Sequence, residues 1–140
     1  KNAWILIDWF RQPSQDKKLF LSLAKNKQLQ FYLITGRFQF LENFTQKWLR
    51  KNKLFTCFKK ILINIQDLEP TDFKAKKINR LGLDFYIDDD LDTLLSLKKK
   101  TSARLFWLNA LYYPKLNSSH SRITAVRSLT KALKKITASL

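Results

Sequence analysis

The chain has 140 residues, of which 45% are hydrophobic and 14% aromatic. That is the size and make-up of one globular domain with a real core, and it excludes a chain that is disordered throughout. Its 27 Lys and Arg against 11 Asp and Glu give a net charge of +16, a field that favours polyanions such as RNA, DNA or an anionic membrane surface. Cys57 is the single cysteine and His120 the single histidine, which excludes an intrachain disulfide and a Cys/His zinc site. The longest apolar runs are too short to span a bilayer. Lys1 and Asn2 lead straight into a strand pattern, so no signal peptide is expected. A cytoplasmic or organelle-matrix location, not a secreted one, is the expectation.

The elements alternate along the chain. Ala3 to Asp8 is continuously apolar until its last residue, as in a strand of a parallel sheet covered on both faces. Asp16 is placed to cap a helix over Lys17 to Asn26, whose Leu19, Phe20 and Leu23 share a face. Phe31 to Thr35 predicts a second strand, after which Gly36 turns the chain. Phe40, Leu41, Phe44, Trp48 and Leu49 recur at helical spacing, so a helix runs to about Asn52. Lys60 to Ile65 predicts a third strand. Thr71 or Asp72 caps a helix through Arg80, which Gly82 ends. Asp84 to Asp88 is a fourth strand, Leu91 to Leu97 a short helix, and Arg104 to Asn109 a fifth strand. Strands alternating with helices in this way predict an α/β three-layer sandwich around a mostly parallel five-stranded, Rossmann-like sheet. Residues 1–111 form that domain. Residues 112–121, with Pro114 and three serines, read as a linker. Arg122 to Leu140 reads as a basic amphipathic C-terminal helix with an apolar stripe of Ile123, Val126, Leu129, Leu133, Ile136 and Leu140. His120 is an ordinary polar residue of the linker.

Acidic residues are scarce and clustered. Five of the 11 fall within nine positions, at Asp84, Asp88, Asp89, Asp90 and Asp92. Like charges so close are unfavourable unless a cation sits among them, and Mg²⁺ held by carboxylates and water fits. A second explanation is local: Asp90 and Asp92 can cap the following helix and interact with its dipole. It accounts poorly for Asp8 and Asp88, which end predicted strands. In parallel sheets ligands bind beyond the strands' carboxyl ends, where Asp8, Thr35 and Asp88 all fall. Basic residues are as uneven as acidic ones: after Asp92 there is no acid, and ten Lys and Arg follow. Arg122, Arg127, Lys131, Lys134 and Lys135 lie off the apolar stripe of the last helix. They are candidate nucleic-acid contacts, a solvated face and a membrane-surface face being the alternatives.

In order, these signals are a strand ending in Asp8, a strand ending in Thr35-Gly36-Arg37, Lys74, and a strand ending in Asp88-Asp89. Over roughly positions 3 to 109, carried by "FYLITGRF", "DFKAKKINRLGLDFYIDDD" and "RLFWLN", the series resembles the haloacid dehalogenase (HAD)-like superfamily, most of whose members are phosphatases. The resemblance implies a Mg²⁺-dependent phosphohydrolase. Asp8 would be the nucleophile that forms an aspartyl-phosphate, splitting hydrolysis into two easier steps. Thr35 would hold the phosphoryl oxygens. Lys74, with Lys76 or Lys77 as substitutes, would offset charge. Asp8, Asp88 and Asp89 would hold Mg²⁺, with Asp92 a further ligand. The pattern departs from the family at Phe10, where phosphatases carry an acid/base Asp; losing such a group costs about 10²–10⁴-fold in rate. Bulky Trp9, Phe10 and Arg11 replace small residues, and the spacing from Asp8 to Thr35 leaves room for one helix and no cap. Two readings follow: a capless phosphohydrolase with weakened activity, acting on a phosphorylated substrate, or an inactive HAD-like fold that binds RNA or a ribonucleoprotein through its basic surface.

Overall fold

The computed structural model describes residues 16–38, 41–66, 68–108 and 122–140. Helix α1 (Asp16–Leu23) precedes strand β1 (Tyr32–Phe38), helix α2 (Glu42–Lys51) and strand β2 (Lys60–Asn64). Helix α3 (Pro70–Leu81), strand β3 (Phe85–Asp88), helix α4 (Leu91–Lys100) and strand β4 (Arg104–Leu108) follow. Strand β5 (Ile123–Val126) and helix α5 (Leu129–Thr137) complete the order. Every strand pairing is parallel. The expected α/β alternation is therefore present, but among the described residues the strands make two small parallel sheets and not one of five strands. Among the described residues β1 and β2 form one sheet, and β3, β4 and β5 another, in that order. The predicted strand over Ala3 to Asp8 lies outside the described residues, as do Phe40, Asn109, the predicted linker over 112–121 and His120.

The chain's last third departs most from its predicted form. Ile123 to Val126 is not the start of a helix. It pairs with β4 in the register Leu105–Ile123 to Leu108–Val126, and the helix begins only at Leu129. The reason lies in the pattern. Ile123, Ala125 and Val126 are buried while Thr124 is exposed, and β-branched residues favour the pleated surface. Ser128 then caps α5, its Oγ accepting from the Lys131 N–H at 3.2 Å. From there the helix buries Leu129, Ala132, Leu133 and Ile136 against the core. Asp16 does not cap α1 either, since the helix starts on it. Its carboxylate accepts from the Thr130 N–H at 2.9 Å and the Thr130 hydroxyl at 2.6 Å, tying α1 to α5. Helix α1 also stops at Leu23, short of Asn26.

The other elements lie close to where the pattern puts them. Helix α3 starts one turn-step early. Glu69 caps it by accepting from the Asp72 N–H at 2.8 Å, and Pro70 takes the first position, where it has no N–H to lose. Gly82 ends it with φ 60°, the left-handed conformation expected at that place. Helix α4 runs on to Lys100, beyond the predicted Leu97. One hydrophobic core joins all layers and includes Phe20, Ile34, Ile78, Tyr86, Leu105 and Leu129, each nearly fully buried. Helix α3 packs against both β1 and α4, so it spans the two sheets. No helix among the described residues is long and apolar enough to cross a membrane.

Candidate active site

Strand β3 is buried along its whole length. Side chains two apart on a strand share a face, which places the Tyr86 hydroxyl beside the Asp88 carboxylate. The Tyr86 Oη donates to Asp88 Oδ2 at 3.1 Å. Lys74 Nζ, from the inward face of α3, donates to the same oxygen at 2.7 Å. The Asp90 N–H donates to Asp88 Oδ1 at 3.1 Å. Asp88 is 2% and Lys74 8% exposed, so this is a buried ion pair held by hydrogen bonds on both carboxylate oxygens. Such a pair is tolerated in a low-dielectric interior only when it is satisfied in this way. Burial, together with the neighbouring Asp88 charge, holds the Tyr86 hydroxyl well above its usual pKa near 10, so it remains a donor.

A second strand converges on the same lysine. Strand β1 pairs regularly with β2 as far as Thr35–Ile63 and then bulges, so that the next partners are Phe38 and Asn64. The predicted end of the strand at Thr35 is therefore a bulge at Gly36-Arg37, not a turn. Bulges of this kind re-aim the chain beside functional sites. A Cβ on Gly36 would lie 2.8 Å from Pro70 Cβ and 3.7 Å from Lys74 Cε. Only glycine lets β1 approach the start of α3 so closely. Thr35, 8% exposed, thus comes to the neighbourhood of Lys74. Of the three candidate lysines, Lys74 is the one that reaches Asp88. Lys76 is exposed, and Lys77 Nζ lies 5.3 Å from the centroid of the Phe73 ring.

The acidic cluster divides into separate roles. Asp90 is the cap of α4: its Oδ1 accepts from the Asp92 N–H at 3.1 Å and its Oδ2 from the Thr93 hydroxyl at 2.5 Å. Asp92 sits exposed in the first turn of that helix. Asp89 is exposed, and its carbonyl accepts from Trp107 Nε1 at 3.1 Å, which fixes the chain just beyond β3 against β4. Of the five clustered acids only Asp88 is buried, and the cation beside it is Lys74. Asp8 and Phe10 lie outside the described residues.

The donors fit a hard cation in kind. Asp88 Oδ1 accepts one N–H and retains acceptor capacity, and Asp89, the next residue, is exposed. Oxygen donors of this type suit Mg²⁺. Among the described residues no three acidic, His or Cys side chains cluster closely enough to hold a metal by themselves.

The basic candidates do not form one surface. Lys131, Lys134 and Lys135 are exposed on α5, opposite its buried face. The Arg122 guanidinium is used internally. Its Nη1 donates to the Thr101 carbonyl at 2.8 Å and its Nη2 to the Lys98 carbonyl, at the end of α4 where carbonyls lack helical partners and the dipole is negative. Arg127 is exposed in the turn before α5. Sequence reasoning passed over Tyr86 and Trp107. The two-residue step back from Asp88 along an apolar strand was the signal for Tyr86; nothing local marks Trp107.

No protein-family model matches the chain, and no curated protein matches it. Two solved structures share its architecture. One is the core domain of a protein from Streptococcus pneumoniae assigned as a phosphoglycolate phosphatase. It superposes with a TM-score of 0.65 at 13% identity, over 99% of this chain and 95% of that one. The other, from Thermotoga maritima, is assigned as a beta-phosphoglucomutase. It superposes with a TM-score of 0.57 at 12% identity, over 85% of this chain and 58% of that one. These likenesses reach the architecture and not the chemistry: the chain shares the α/β fold of these two proteins.

Proposed function

We propose that this protein is a Mg²⁺-dependent phosphohydrolase domain of the HAD type, weakened by Phe10. The observation that carries the reading is the buried Lys74–Asp88 pair, met by the Gly36 bulge that follows Thr35. A cation from α3 and an acid at the end of β3, held together beside the bulge of β1, suit a site that must bind a phosphoryl group without accumulating charge. In this reading Asp8 attacks phosphorus, Thr35 donates to the phosphoryl oxygens, and Lys74 balances the charge of the attacking and liganding carboxylates. Asp88 and Asp89, with Asp8, would hold Mg²⁺, which when bound neutralises charge on the phosphoryl oxygens. Tyr86 fixes the carboxylate of Asp88 so that Oδ1 faces away from the lysine. Phe10 has no proton to give the leaving group, so turnover should be slow. The test is hydrolysis of p-nitrophenyl phosphate with and without Mg²⁺. Phe10→Asp should raise the rate markedly and Asp8→Asn abolish it. Both variants behaving as the parent does would leave the HAD-like fold without its chemistry.

A second reading keeps one supporting observation. Lys131, Lys134 and Lys135 face outward from α5 while its apolar face is buried. They suit phosphate contacts to RNA or a ribonucleoprotein, as does the overall charge. An anionic membrane surface would meet the same cations. Binding of single-stranded RNA that weakens steeply with salt, and weakens again when all three lysines become Gln, would support it. Salt-insensitive binding would remove it.

A further inference from the structure

A groove of about 700 Å³ lies along the outer side of β2, away from Lys74. Its floor is the strand itself, and its wall is the face of α3 that carries Phe73, Lys76, Lys77 and Arg80. These four residues cluster on one side of the helix, about 110° round from Lys74 at 3.6 residues per turn. The groove therefore shares a helix with the candidate active site but opens elsewhere.

Three features define what fits there. The first is the strand edge. The Lys59 N–H bonds to the Phe31 carbonyl, and the register Tyr32–Lys60, Leu33–Ile61, Ile34–Leu62 turns the backbone groups of Ile61 and Ile63 toward β1. Alternation then turns those of Lys60 and Leu62 outward, where no strand lies among the described residues. The second is the apolar lining. Ile61, Leu62 and Ile63 are only partly buried, and Ile65 and Leu68 at the rim are 56% and 37% exposed. The third is charge. Among the described residues five Lys and Arg line the groove against one acid, Glu42.

We propose that this edge docks an extended acidic segment of another protein, which adds to β2 as a strand. Outward amides and carbonyls supply the main-chain ladder, the aliphatic side chains receive alternate apolar residues, and the cations receive the acids between them. Nucleic acid fits less well. Of the aromatic rings in the groove's lining, Phe58 and Phe73 are buried and the part-exposed Phe55 carries the Arg50 guanidinium 3.8 Å over its face, whereas bases are held by stacking on open rings. A second copy of this chain also fits less well, because two such edges would bring like charges together. The proposal is independent of whether the phosphohydrolase site is active.

The test uses the full chain and a fluorescein-labelled, end-capped peptide of alternating Glu and Val, followed by fluorescence anisotropy. Binding is expected, with a Lys–Val control peptide failing to bind. The double charge reversal Lys76→Glu/Arg80→Glu should weaken it at least about tenfold. Both side chains are exposed, so an unchanged urea midpoint is expected to show an intact fold. Should that variant not fold, two N-methylated peptides decide the matter on the parent chain. Methylating one alternate set of amides should abolish binding, and methylating the other should preserve it, because a strand pairs through one edge only. Equal binding of both methylated peptides, equal binding of the Lys–Val control, or binding of oligouridylate in place of the acidic peptide would each overturn the proposal.

Discussion

Replacing Lys74 with Met should be among the most damaging single changes outside the aliphatic core. The substitution keeps the length of the side chain and removes its charge, leaving Asp88, 2% exposed, without a counter-ion. Removing one partner of a buried pair costs about 3–5 kcal/mol. The Tyr86 hydroxyl and the Asp90 N–H still bond the carboxylate, so the low end, about 3 kcal/mol, is the expected loss. For a chain of this length that corresponds to a fall of roughly 10 °C in Tm. Asp88→Asn should cost a similar amount, because it strands the ammonium. The double variant Lys74→Met/Asp88→Asn leaves neither charge alone, and its cost should resemble that of one single variant. The coupling between the sites should then be about 2–3 kcal/mol. Urea denaturation followed by circular dichroism measures all four corners of the cycle. The losses should persist at high salt, since a buried pair is little screened. By contrast, the exposed Lys100–Asp72 pair should show no measurable contribution there. Singles within about 0.5 kcal/mol of the parent, or strictly additive singles, would refute the view that Lys74 and Asp88 form one charged unit.

Three further outcomes follow from the geometry. Gly36→Ala should lower stability by about 1–3 kcal/mol, because its Cβ meets the Pro70 ring and neither backbone can yield; thermal melting reads this directly. Tyr86→Phe should cost about 1.5–3 kcal/mol near neutral pH for the lost bond to Asp88. It should also change the alkaline limb. The raised pKa of Tyr86 means that the unfolded chain ionises first, so this residue's contribution is full below about pH 10 and is lost as pH rises above it. Stability of the parent should therefore fall more steeply above pH 10 than that of Tyr86→Phe, as urea titrations at several pH values would show. Asp16→Ala should loosen α1 from α5 by about 1–2 kcal/mol, with faster amide exchange at Thr130 as the local sign.

The residue pattern determined the succession of elements from β1 to β4, because apolar runs of strand length and stripes of helical period are local facts. It also determined the stop at Gly82 and the separate explanation of Asp90 and Asp92 as the cap and first-turn acid of α4. What it left open depended on partners distant in sequence. Ile123 and Val126 satisfy a helical stripe as well as a strand, and only the unpaired side of β4 makes the strand the better use of them. Asp16 reads as a local cap, yet its carboxylate meets Thr130, 114 positions away. Arg122 reads as one more surface cation until Thr101 and Lys98 present their carbonyls to it. Lys74, Lys76 and Lys77 are equivalent in composition, and only the packing of α3 across both sheets chooses which of them is buried against Asp88. Chain pattern fixes which residues can face inward. Which of them meet is set by how the layers close, since burial makes each polar group depend on the one partner that the fold brings within reach.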